Sequence, residues 1–119
     1  MPVRNYNDLQ FEAIIAYVDS HYTDPNLSVD LLCERFDTTP YIIGCCFKDF
    51  TGKTFLEYVI DLRMRQAAVL LADSDAEICT IASSVGYAYP SYFARTFRAR
   101  FGMTPSAYRS RHRVAADCT

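Results

Sequence analysis

Two stretches of the chain read alike. The first is Thr39-Pro40-Tyr41-Ile42-Ile43-Gly44-Cys45-Cys46-Phe47-Lys48-Asp49-Phe50-Thr51-Gly52-Lys53-Thr54-Phe55-Leu56-Glu57-Tyr58. The second is Tyr89-Pro90-Ser91-Tyr92-Phe93-Ala94-Arg95-Thr96-Phe97-Arg98-Ala99-Arg100-Phe101-Gly102-Met103-Thr104-Pro105-Ser106-Ala107-Tyr108, 50 residues later and aligned without a gap. Both follow P-x-x-[IF]-x-x-x-F-[KR]-x-x-x-G-x-T-x-x-x-Y. Upstream, Leu31-Leu32 lies over Ile81-Ala82. Self-similarity at a fixed spacing marks a duplicated structural unit. Each copy predicts a short helix, a tight turn, a second helix, a glycine stop and a capped restart. Two short helices joined by a turn of about 3–4 residues are the helix-turn-helix plan.

Hydrophobic spacing fills in the rest. Phe11, Ile14, Ile15, Val18 and Tyr22 share one helical face, and Thr23-Asp24-Pro25-Asn26 stops that helix. Ser28 caps a second helix carrying Val29, Leu31, Leu32 and Phe36. Thr39 caps a third, with Pro40 at its first position, and Gly52 closes it. Thr54-Phe55-Leu56-Glu57 is a capping box that opens a long helix ending near Asp73. Ser74-Asp75-Ala76-Glu77 reads as another, opening a fifth helix ended by Gly86. A sixth helix starts at Pro90 or Ser91 and runs through Phe101. Thr104-Pro105 starts a seventh over 106–111. No segment alternates with period two, so the expected fold is all-α with seven helices. The organisation predicted is a first helix-turn-helix subdomain at 8–53, a linker helix at 54–73, a second subdomain at 74–112 and a flexible tail at 113–119. A linker of about 20 residues is ~30 Å long, close to the ~34 Å repeat of B-DNA. Such a chain can set two recognition helices in successive major grooves.

Composition narrows the function classes. A length of 119 residues suits one domain, or two very small ones sharing a core. Half the residues are apolar and 14% aromatic, enough for a packed core. The net charge of −2 excludes a histone-like or polybasic membrane-binding protein. No apolar run approaches the roughly 18–20 residues of a membrane span. The first residues lack the apolar segment of a signal peptide. Five cysteines, with no C-x-x-C pair, predict reduced thiols in a cytosol. Cys33, Cys46 and Cys79 are expected as small core residues. His21 and His112 stand alone, so neither a metal site nor a cofactor is expected. The charge is split: 1–60 holds four basic and nine acidic residues, 61–119 eight arginines and five acids. The run from Ser91 to Arg113 has six arginines and no acid, so a polyanion would meet the second half.

The chain resembles the DNA-binding domain of AraC/XylS-type transcriptional regulators over about 11–109. The resemblance is sharpest in Ile78-x-x-Ile81-Ala82-x-x-Val85-Gly86-Tyr87-x-x-x-Ser91-Tyr92-Phe93-x-Arg95-x-Phe97-Arg98-x-x-Phe101-Gly102-x-Thr104-Pro105-x-x-Tyr108-Arg109. The long helix adds Tyr58, Arg63, Ala67, Leu70 and Leu71 at the family's spacing. It implies seven helices, two helix-turn-helix subdomains, sequence-specific binding of double-stranded DNA at promoters, and contact with RNA polymerase in activators. It also implies a groove-reading arginine at Arg95.

The candidate base-reading surface of the second unit is Tyr89, Pro90, Ser91, Ala94, Arg95 and Arg98. Arginine pairs with guanine O6 and N7 through two hydrogen bonds, and Arg98, one turn on, suits a phosphate. Phe93, Phe97 and Phe101 are read as core. Arg63 is either internal or DNA-facing. The first unit offers Thr39, Tyr41, Ile42, Gly44, Cys45 and Lys48. It departs from the family pattern, with Cys45 in place of the usual arginine and few hydrogen-bonding groups. Tyr41 or Ile42 can touch thymine methyls and Lys48 a phosphate. Binding is therefore expected to be asymmetric, with the second unit dominant.

The expected function is a cytoplasmic, non-enzymatic DNA-binding transcription regulator, or the output domain of a larger protein whose sensor domain is absent from this chain. The competing reading is a helical protein–protein interaction module with weakened or lost DNA binding, supported by the charge split and the Gly44-Cys45-Cys46 face.

Overall fold

A computed structural model describes residues 6–117, with side chains described over 9–112. Among the described residues there are seven helices and no strand. They are α1 (Tyr6–His21), α2 (Val29–Phe36), α3 (Pro40–Thr51), α4 (Phe55–Asp73), α5 (Ile78–Ser84), α6 (Pro90–Phe101) and α7 (Pro105–Asp117). The chain divides into two compact units between Leu62 and Arg63, inside α4.

In the first unit, Ile14 and Val18 of α1, Leu32 of α2, Ile43, Cys46 and Phe47 of α3 and Val59 of α4 form the core. The helix ends follow local chemistry. The Ser28 hydroxyl accepts from the Leu31 N–H at 3.1 Å, and that of Thr39 from the Ile42 N–H at 3.3 Å. The Thr54–Glu57 box closes both ways: Glu57 Oε1 accepts the Thr54 N–H at 2.9 Å and Thr54 Oγ1 the Glu57 N–H at 3.1 Å. The Thr54 N–H therefore holds the Glu57 carboxyl below its ordinary pKa.

In the second unit, the buried core residues include Met64, Ala67 and Leu71 of α4, Ile81 and Ala82 of α5, Val85, and Phe93 and Phe97 of α6. Phe97 stacks toward Phe101 with ring centroids 4.4 Å apart and meets Tyr108 of α7 edge-on at 5.4 Å. The interval expected as a linker thus supplies core residues to both units: Val59 to the first, Met64, Ala67 and Leu71 to the second.

Three local expectations are corrected. Ser74 does not cap α5. Its hydroxyl donates to the Leu70 carbonyl at 2.7 Å and accepts a long contact from Ala76 N at 3.4 Å. The α5 N-cap is Glu77, with no side-chain bond. The hydroxyl is already taken by the last turn of α4. Cys79 is exposed, Cys33 half-buried and Cys46 buried. The buried positions of α5 are Ile81 and Ala82, and Cys79 lies off that face. Finally, α7 continues through Asp117 instead of ending near Arg111. The tail expected from Arg113 falls largely on this helix, and Cys118 and Thr119 lie outside the described residues.

Candidate nucleic-acid interface

The sequence of α6 separates two faces. Phe93 and Phe97 have no solvent exposure and anchor the helix. Ser91, Arg95 and Arg98 are exposed on the other side, with Ala94 half-buried between them. Pro90 occupies the first turn, where its missing N–H leaves no bond unmade. Tyr89 precedes it, 72% exposed. Gly102 ends the helix at φ 75°, donating its N–H to the Arg98 carbonyl at 2.8 Å. Arg98 and Arg100 in the last turn complement the helix dipole. Among the described residues no ion pair engages Arg95 or Arg98. The two guanidinium groups flank a shallow surface depression also lined by Ala94, Ala99 and Thr104.

The α3 helix is built to the same plan. Pro40 again opens it, and Gly52 again closes it at φ 76°, donating to the Lys48 carbonyl at 3.0 Å. Its outer face also carries a depression, lined by Tyr41, Gly44, Cys45, Lys48, Asp49 and Phe55. Gly44, Cys45, Lys48 and Asp49 match Ala94, Arg95, Arg98 and Ala99 across the repeat. The chemistry differs. Tyr41 is 80% exposed and Ile42 37%. A hydrogen bond with the Cys45 thiol is the main cause that raises the Tyr41 phenol pKa, so the hydroxyl stays neutral. The hydroxyl of Thr39 is engaged in capping. Lys48 is the exposed cation of this face, and Asp49 sits beside it.

The arginines outside α6 divide by role. The Arg63 guanidinium lies 5.3 Å from the centre of the Tyr87 ring and fills the space beside Gly86. That places it within the second unit's packing. Burial raises the Tyr87 phenol pKa, and Arg63 opposes the rise. Arg109, part of the acid-free run, bonds to backbone carbonyls at the end of α4.

A family model described as "Helix-turn-helix domain" matches residues 32–111. The regulatory protein SoxS of Escherichia coli (strain K12) is 33% identical over 98 residues, which cover 82% of this chain and 91% of that protein. This chain belongs to the AraC family of transcriptional regulators. The regulatory protein PocR of Salmonella typhimurium (strain LT2) is 33% identical over 103 residues, and the AraC-family chain spans only 34% of its length. Among solved structures, the DNA-binding domain of AdpA, described as a global transcriptional factor in complex with a target DNA, superposes with a TM-score of 0.82 at 26% identity. That match covers 89% of this chain and 95% of that one.

All six α6 candidates of this AraC-family domain lie on or beside one exposed helix face. The six of the first unit lie on or next to α3, with Thr39 engaged as its cap. Sequence reasoning passed over Asp49, Ala99 and Thr104, which complete the two depressions. The repeat held the signal, because it sets Asp49 over Ala99 and Thr54 over Thr104. Among the described residues no cluster of His, Cys, Asp or Glu is arranged to hold a metal ion, and no helix is long and apolar enough to cross a membrane.

Proposed function

We propose that this AraC-family domain binds double-stranded DNA sequence-specifically with α6 in the major groove and so regulates transcription as a cytoplasmic, non-enzymatic protein. One observation carries the reading. Arg95 and Arg98 stand on an exposed helix face, free of ion pairs among the described residues, above aromatic side chains that fix the helix. Two donor forks held on a rigid helix suit a guanine edge and a phosphate. Arg95 reads guanine O6 and N7, and Arg98 contacts phosphate. Tyr89, Pro90 and Ser91 meet the nucleic acid at the helix start, and Ala94 lets the helix approach closely. Thr39, Tyr41, Ile42, Gly44, Cys45 and Lys48 make the weaker contribution. RNA polymerase is the second partner. The chain spans 34% of PocR and 91% of SoxS, so such a domain serves both alone and within a longer regulatory protein.

The test is fluorescence anisotropy with a random-sequence duplex pool from low to physiological salt. Salt-sensitive binding is expected, and Arg95→Ala should cost about 1–3 kcal/mol on a selected site and relax one base position. A folded protein with no binding even at low salt would sink the reading.

A further inference from the structure

The two depressions are equivalent in build and opposite in chemistry. On α6 the repeat positions hold Ser91, Ala94 and Arg95; on α3 they hold Tyr41, Gly44 and Cys45. The α3 face has therefore lost the charged fork, and exposed Tyr41 stands where α6 has Ser91, while exposed Ile42 stands where α6 has exposed Tyr92. Lys48 remains where Arg98 stands, available to a phosphate. An apolar face set against a base-pair edge leaves the polar atoms of that edge desolvated and unpaired. The one apolar group a base presents in the major groove is the C5-methyl of thymine. Gly44 adds a second observation. It lies inside the helix, is exposed, and has no atom within 4 Å of the place a Cβ would occupy. Nothing in the fold requires a glycine there, and glycine in a helix interior is destabilising. Its use is a close approach of the backbone to something outside the chain.

We propose that α3 recognises thymine methyl groups by apolar contact through Tyr41, Ile42 and Cys45, with Gly44 as the point where the helix backbone meets the base edges. The operator then joins two unlike boxes: one with a guanine read by Arg95, one rich in thymine read by α3. The proposal rests on the DNA-binding reading and names the specificity of its weaker half. Lys48 anchors the thymine box through a phosphate, and Asp49 beside it weakens that hold by repelling the backbone.

The full chain is first used to select duplexes from a random pool. Thymines of the selected site are then replaced one at a time by deoxyuridine, which removes only the methyl. Replacement in the thymine box should weaken binding about fourfold per contacted methyl, and replacement around the Arg95 guanine should change little. Gly44→Ala should raise the melting temperature yet weaken binding to the selected site several-fold. Two results overturn the proposal while leaving the DNA-binding reading intact. One is selected sites with no thymine box, or with deoxyuridine tolerated throughout. The other is Gly44→Ala binding as the parent does, which would leave the α3 face to a protein partner. Absence of any selected sequence would overturn both readings, whereas a selected site that Arg95→Ala binds poorly but that tolerates deoxyuridine throughout would overturn this proposal alone.

Discussion

Arg109 Nε donates to the Leu71 carbonyl at 3.1 Å, and its Nη2 donates to the Ser74 carbonyl at 3.0 Å. The side chain thereby caps the end of α4 from α7. Arg109→Ala should destabilise the protein by about 2–3 kcal/mol, because charged hydrogen bonds to part-buried carbonyls are lost. Urea titration measures this. Binding by the folded variant should keep the parent salt slope. Arg98→Ala should do the reverse, reducing the salt slope by about 1 and leaving the urea midpoint in place.

Gly86 and Arg63 constrain each other. Gly86 sits at φ 106°, and a Cβ there would lie 2.9 Å from Arg63 Nε. Gly86→Ala meets both a left-handed backbone and a guanidinium, and should cost about 1–3 kcal/mol. Adding Arg63→Ala should recover part of that loss, since only the steric share is relieved. A double-mutant cycle with strictly additive effects would show the contact to be unimportant.

Asp49 occupies the place in the first unit that Ala99 holds in the second. Its carboxylate opposes the approach of phosphate. Asp49→Ala should tighten DNA binding at low salt, with the gain shrinking as salt screens the charge. Anisotropy titrations of both proteins at two salt concentrations are sufficient to check it.

The cysteines should react in an order set by burial. Burial first, and Asp49 second, push the Cys46 thiol up to about 12, so it stays protonated through neutral pH. Its Sγ–H also donates to the Phe11 carbonyl at 3.7 Å. Alkylation of the native protein, read by peptide mass spectrometry, should mark exposed Cys79 early and Cys46 only after unfolding.

The Thr54–Glu57 box makes a small pH signature. The folded pKa of Glu57 lies below its ordinary value, so its stabilisation is present above the unfolded pKa and fades as pH falls through the folded one. Glu57→Gln should flatten that acid limb of the stability curve, measured as melting temperature against pH.

The sequence by itself determined the helices, the duplication and which residues share the exposed faces of α3 and α6. These depend on local rules that residues carry with them: Thr39, Thr54 and Thr104 as caps, Pro40, Pro90 and Pro105 in first turns, Gly52 and Gly102 at left-handed ends, and aromatic side chains at helical spacing. Tertiary structure alone decided how side chains with several available partners were used. Ser74 bonds back to Leu70 instead of capping α5, and Cys79 falls outside the buried face of a short helix. Arg63 and Arg109 look like Arg95 and Arg98 in a list of charges. Only the arrival of Tyr87, Gly86 and the last carbonyls of α4 turns them inward. The reason is physical. A cap or a glycine stop is satisfied within a few residues, whereas a long cationic side chain takes whichever acceptor or ring the distant chain brings within reach.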